Sequence, residues 1–110
     1  MSIHVMKFGG TSVANLSRMK NVVSLVQKKI SSHSDKIILV VSAMSGVTNK
    51  LVEEYKKIKS DISTPEYDSI VSSGEQCSSA LLSLILNENN ISSRSMLGWQ
   101  LPIITDMNHS

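Results

Sequence analysis

The 110 residues carry eleven Lys and Arg against nine Asp and Glu, a formal net charge of +2, with 41% hydrophobic and 18% charged residues. That balance suits one small folded domain and excludes both a two-domain enzyme and a disordered tail. No cluster of Lys or Arg is dense enough for a nucleic-acid face, and the longest wholly apolar run, Ile37 to Val41, is far too short to cross a bilayer.

Ile3 to Phe8 is β-prone and ends at Gly9-Gly10, which predicts a first strand running into a glycine turn. Leu16, Met19, Val22, Val23, Val26 and Ile30 then recur at three- and four-residue steps, predicting a helix with Asn15 as its cap and Lys28-Lys29 at its end. After a polar loop over 31–35, the unbroken run Ile37 to Val41 reads as a strand buried on both faces of a parallel sheet. Ser42 to Gly46 is a small-residue turn, and Val47 to Lys59 a helix whose face is Val47, Leu51, Tyr55 and Ile58.

A long helix follows from Pro65, capped by Thr64 and running to about Leu86, with Tyr67, Ile70, Val71, Cys77, Leu81, Leu84 and Ile85 as its apolar stripe. Cys77 reads as a small buried hydrophobe on that stripe, and as the single cysteine it cannot form an internal disulfide, which suits a reducing compartment. Asn87 to Asn90 is a turn cluster, and Ile91 to Leu97 a third strand before Gly98. The order β-α-β-α-α-β implies an α/β fold: an open, mostly parallel sheet with helices on its faces. The tail from Trp99 shows no terminating element, and the start shows no apolar leader segment, so a soluble cytoplasmic setting is expected.

Three segments carry candidate chemistry. Lys7-Phe8-Gly9-Gly10-Thr11-Ser12 lies where a strand ends and a helix is about to begin, the place where an open parallel sheet binds ligands. Glycines there let backbone N–H groups approach phosphate oxygens, and Lys7 would meet the charge. This is not the Walker arrangement, whose Lys follows the glycines, and a plain turn with one exposed Lys is the ordinary alternative. Val40 to Asn49 sits at the second strand's end, so the two turns should lie side by side and form a polar crevice. Ser42 and Thr48 can donate there to a carboxylate or phosphate, or else serve as turn former and helix cap. In Ser72-Ser73-Gly74-Glu75 a glycine falls mid-helix at a cost of about 1 kcal/mol relative to Ala, which asks for a close approach by another backbone or a ligand. Glu75 beside it suits an ammonium group or plain solvent. His4, His33 and His109 have no metal-ligand spacing and read as solvated.

Together these segments resemble the opening blocks of aspartate kinases, within the amino-acid kinases. The resemblance rests on Lys7 to Val13, Val41 to Asn49, Ser73-Gly74-Glu75 and Ile104-Thr105-Asp106, in the family's order and approximate spacing over the whole chain. It implies a three-layer αβα kinase fold of which residues 1–110 are an N-terminal part. It also implies transfer of the γ-phosphoryl group of MgATP to the β-carboxylate of L-aspartate, the first step toward lysine, threonine and methionine. Carried over, Lys7 would be the catalytic cation. Lys7, Phe8, Gly9 and Gly10 would bind phosphates, and Thr11, Ser42, Thr48 and Glu75 would hold aspartate, Glu75 on its α-ammonium. ATP with Mg²⁺ enters as a substrate complex, and the resemblance implies no tightly bound cofactor and no protein metal site. In the family most of the nucleotide pocket, an arginine for the α-carboxylate, a second phosphate-binding lysine and the regulatory ACT domains lie further along, so this chain alone is expected to lack kinase activity. Two other readings stand beside it: a kinase of glutamate, acetylglutamate, carbamate or UMP, and a non-catalytic module that pairs with itself or with a separate remainder through exposed apolar surface.

Overall fold

The computed structural model describes residues 2–30 and 35–108. The two aliphatic runs form strands β1 (Ile3–Phe8) and β2 (Lys36–Val41), paired in parallel with Ile3 opposite Lys36 and Phe8 opposite Val41. Helix α1 (Leu16–Lys29) makes the crossover between them. Asn15 caps it by accepting a hydrogen bond from the Arg18 N–H at 2.9 Å, and Lys28 and Lys29 face the negative end of its dipole. The loop expected over 31–35 lies outside the described residues except for Asp35, as do His33 and His109.

The core forms where the predicted stripe of α1 meets the inner face of the sheet. Met19, Val22, Val23 and Val26 are buried together with Val13, Leu82 and Leu86, and Met6, Phe8, Ile37, Leu39 and Val41 pack on them. Each fully buried aliphatic side chain contributes roughly 1.5–3 kcal/mol relative to exposure. Along both strands every second residue belongs to this face, and His4, expected to be solvated, is half-buried on it. The outer face is open: Val5 is 66% exposed and Ile38 52%. The expectation that β2 is buried on both faces is therefore corrected, because all helices that contact the sheet lie on one side of it among the described residues.

Helix α2 (Val47–Lys56) ends three residues earlier than its apolar spacing predicts, which leaves Ile58 90% exposed and outside the helix face. A clasp beyond its end explains the stop. The buried Tyr55 hydroxyl donates to the Asp61 carbonyl at 2.6 Å and accepts from the Thr64 hydroxyl, also at 2.6 Å. Thr64 in turn accepts from the Tyr67 N–H at 3.2 Å as the N-cap of α3 (Pro65–Glu88). The Tyr55 and Tyr67 rings meet edge to face, 5.1 Å between centroids. Pro65 in the first turn and the acidic Glu66 and Asp68 favour the helix start.

The far end of α3 closes in a Schellman arrangement: Asn90 takes the left-handed conformation (φ 61°), the Asn90 N–H donates to the Asn87 carbonyl, and the Ile91 N–H to the Leu86 carbonyl. The buried face of α3 matches the predicted stripe in part: Leu81 and Ile85 pack on the core, and Tyr67, Ile70 and Val71 are half-buried. Gly74, Ser78, Leu82 and Leu86, one every four residues, face inward, while Cys77 and Leu84 are exposed. The predicted third strand over 91–97 is also absent. Its residues alternate between half-buried and exposed as a strand's would, but the Ser93 N–H donates to Asn87 Oδ1 at 2.8 Å and the Ser93 hydroxyl to the Ser83 carbonyl at 2.9 Å. The segment is thus fastened to the side of α3 and not to a sheet edge. A single 3₁₀ turn (Gly98–Gln100) precedes an exposed tail.

Candidate functional site

Both strands point their carboxyl ends the same way, so the turns after β1 and β2 emerge together. The Ser42 N–H donates to the Phe8 carbonyl at 3.3 Å and the Ser45 N–H to the Gly10 carbonyl at 3.2 Å, which sews the two turns side by side as their sequences predict. Gly10 is needed at this seam: a Cβ there would lie 2.9 Å from the Ala43 carbonyl oxygen. Gly9 is different, with open space where its side chain would be, and its carbonyl accepts from the Ser12 N–H at 3.0 Å to close the turn.

Lys7 and Phe8 part company at the strand's end. Phe8 packs inward on the core, so it can offer a ligand its backbone alone, while Lys7 is exposed on the outer column with Ile3 and Val5. Thr11 is exposed at the tip of the turn. The glycine turn is not itself the start of α1, since the cap of that helix is Asn15. Free helix N–H groups therefore sit several residues beyond Gly9-Gly10, at the Asn15 cap that the sequence predicts.

On the other turn Ser42 and Thr48 are half-buried. Thr48 is not a helix cap. That place belongs to Gly46, whose φ of 83° is the left-handed conformation that glycine adopts without steric cost. Helix α3 leans on this turn at Gly74, where a Cβ would lie 3.1 Å from both Ala43 Cβ and Val47 Cγ1. The mid-helix glycine thus marks a close approach, made by the side chains of Ala43 and Val47.

One turn further along α3, Ser78 is wholly buried and its hydroxyl lies 2.7 Å from the Ser42 carbonyl and 3.2 Å from that of Glu75. Ser78 did not figure among the residues read from the sequence, although its place four residues after Gly74, on the same helix face, was the available signal. Glu75 lies between these two contacts and is exposed. Lys7 to Gly10, Ser42 to Thr48 and Glu75 are thereby gathered at one end of the molecule.

The Ile104-Thr105-Asp106 block is exposed, and Asp106 accepts from the Asn108 N–H at 2.9 Å. A shallow open depression of about 100 Å³ lies between the first turn and α1, lined by Phe8, Ser12, Arg18, Asn21, Val22 and Leu25. That is well below the roughly 300–1,000 Å³ of ordinary small-molecule pockets. Among the described residues no helix is long and apolar enough to cross a membrane.

Comparison with known proteins bears on the family and the fold. A model of the amino acid kinase family matches residues 2–109. An aspartokinase of Rickettsia bellii is 45% identical over all of this chain, which spans 28% of that protein. An aspartokinase of Geobacillus stearothermophilus is 40% identical over 99% of the chain and 26% of its own length. The crystal structure of aspartate kinase from Synechocystis superposes with a TM-score of 0.72 at 38% identity, covering 80% of this chain and 15% of that one. The chain therefore spans little more than a quarter of the relatives it matches, and it belongs to the amino acid kinase family, its likeness lying with the N-terminal part of aspartokinases.

Proposed function

We propose that this chain supplies the phosphoryl-binding and aspartate-binding turns of an aspartate kinase acting in the cytoplasm. The observation that carries the reading is the seam between the two strand-end turns, with α3 seated on the second through Gly74 and Ser78. In the proposed reaction a β-carboxylate oxygen of L-aspartate attacks the γ-phosphorus of MgATP. A new O–P bond forms, the bond to the β,γ-bridging oxygen breaks, and ADP leaves with that electron pair. The product is 4-phospho-L-aspartate, the first intermediate toward lysine, threonine and methionine.

The chain's own residues act by position and charge. Lys7 neutralises the transferring phosphoryl group. The backbone N–H groups of Gly9 and Gly10 approach its oxygens, Gly9 with open space above it. Phe8 contributes backbone only. Thr11, Ser42 and Thr48 hold aspartate carboxylate oxygens and Glu75 its α-ammonium. Groups that converge from one side alone hold a small ligand weakly, because the entropy of association is lost in full. The 110 residues by themselves are accordingly inactive.

The test is a chimera in which residues 1–110 replace the matching part of the Rickettsia bellii aspartokinase. Aspartate-dependent ADP release, with the acyl phosphate trapped by hydroxylamine, is expected. Lys7→Ala should lower that rate by about 10²-fold or more, the scale of removing one group that stabilises transition-state charge. A folded chimera that is inactive, or indifferent to Lys7→Ala, sinks the reading. A second reading, a module that pairs with itself or with a separate remainder, draws on the exposed outer column of Ile3, Val5, Ile38 and Val40. It requires concentration-dependent association, and a strict monomer at high concentration counts against it.

A further inference from the structure

Ser78 is the most deeply buried polar side chain among the described residues, and its hydroxyl reaches the backbones of two candidate aspartate ligands that stand far apart in sequence. It has one proton to give. The shorter distance, 2.7 Å against 3.2 Å, assigns that proton mainly to the Ser42 carbonyl, with the Glu75 carbonyl as a weaker second acceptor. The Glu75 carbonyl lies one helical turn back, an ordinary partner for a helical Ser, but the Ser42 carbonyl belongs to the turn after β2 and has no helical reason to be there.

We propose that Ser78 is a positioning residue for substrate binding: its hydroxyl fixes the Ser42 peptide against α3 and so sets the distance between the Ser42 to Thr48 turn and Glu75. The proposal rests on the aspartate reading above and adds to it a residue that does not itself touch substrate. Three features make the hydroxyl the controlling element. The neighbouring contact at Gly74 is a surface without a side chain, which limits how closely α3 approaches the turn but does not hold it there. Gly46, at the turn's far end, has a left-handed backbone and caps α2 with no side-chain hydrogen bond. The Ser45 N–H ties the turn to Gly10 in the turn after β1 and not to α3. Between Ser42 and Glu75 the Ser78 hydroxyl is the directional link.

The experiment is a titration of the ¹⁵N-labelled 110-residue chain with L-aspartate, in the parent, Ser78→Ala, Ser78→Cys and Ser78→Thr forms. Backbone amide shifts and hydrogen exchange of 42–48 are read before ligand is added, and the dissociation constant is read after. Ser78→Ala is expected to shift those amides, speed their exchange and weaken L-aspartate by about tenfold, the scale of one buried hydrogen bond. Ser78→Cys keeps the side chain's shape with a somewhat larger atom and a weaker donor and falls between, which maintains the test if the alanine form is unfolded. Ser78→Thr, which keeps the hydroxyl, restores affinity toward the parent. A merely structural role would lower the melting temperature in all variants without this ordering of affinity. If the parent binds and Ser78→Ala binds equally well, the positioning role is overturned and the aspartate reading stands. If the isolated chain gives no saturable response, the same substitutions are read in the Rickettsia bellii chimera. There an inactive parent overturns the aspartate reading, and a Ser78→Ala KM for L-aspartate equal to the parent's overturns the positioning role alone.

Discussion

Replacing Gly74 by Ala sets two effects of known sign against each other. Alanine is the better helix former by about 1 kcal/mol in a helix interior, so propensity alone predicts stabilisation. The added Cβ, however, would stand 3.1 Å from both Ala43 Cβ and Val47 Cγ1, and 3.7 Å from Leu51 Cδ1. Neither of the near neighbours can swing away. Ala43 has no rotamer to change, and Val47, β-branched and in the first turn of α2, is stiff at χ1. Relief must come from moving α3 bodily off the turn, an overpacking strain of roughly 1–3 kcal/mol. The net is a loss of about 1 kcal/mol, which lowers a urea midpoint by roughly 0.5–1 M at the slopes usual for small domains. Helical circular dichroism against urea is the assay. Ser72→Ala serves as control, since Ser72 is exposed on the same helix and the change brings the propensity gain without the contact. A Gly74→Ala midpoint equal to or above that of the parent would refute the reasoning and reduce the glycine to a tolerated residue.

Gly10→Ala should be more damaging than Gly74→Ala, by about 2–3 kcal/mol, because its Cβ meets a backbone oxygen at 2.9 Å and no helix propensity offsets the strain. The same urea series measures it, and a smaller loss than at Gly74 would contradict the ordering. Glu54 titrates below the ordinary 4.5, first because Lys57 donates to it at 2.7 Å and then through the charge of Lys57. A carboxylate whose folded pKa is depressed stabilises the fold above its unfolded pKa and loses that contribution as pH falls through the folded value. The side chains are largely exposed, so the effect on stability is slight, and the clean observable is Glu54 itself: carboxyl NMR should place its pKa below 4.5 in the parent and return it upward in Lys57→Ala. An unchanged pKa would mean that the pair does not persist in solution.

The strand-end turns were the most legible part of the molecule, because glycine and small hydroxyl residues after an aliphatic run have few other uses. The packing face of α1 was legible for a similar reason: Met19, Val22, Val23 and Val26 keep helical spacing and meet apolar partners. Helix α3 misled the reading where it matters most for the site. Hydropathy locates a buried face by its large apolar residues, yet the part of α3 that meets the second turn is buried through Gly74, whose lack of a side chain admits Ala43 and Val47, and through Ser78, whose hydroxyl meets the Ser42 carbonyl. Cys77, one position off that column, is consequently exposed.

The run Ile37 to Val41 shows what β2 is able to bury, but burial also needs a covering layer, and Ile38 and Val40 have none among the described residues. Over 91–97 the period-two pattern was real and the hydrogen-bond partners were not those of a sheet. Asn87 and Ser83 claimed the backbone and side chain of Ser93 through contacts that no alternation reveals. The roles proposed for Lys7, Thr11 and Glu75 come from resemblance, since an exposed side chain at a turn or on a helix has no signature of its own.

The Tyr55 clasp gives the two halves of the candidate site different thermodynamic characters. It closes a loop of nine residues, from Tyr55 to Thr64, whereas the first rung of the parallel sheet joins Ile3 to Lys36. Loop-closure entropy grows only with the logarithm of length, so the sheet side is disfavoured by about 1 kcal/mol more than the helical hairpin before any contact is counted. The half that carries Glu75 is thus local and self-fastened, while the half that carries Lys7 and Ser42 is drawn together from distant stretches of chain. The hydroxyl of Ser78 is the polar contact at which the first half grips the second.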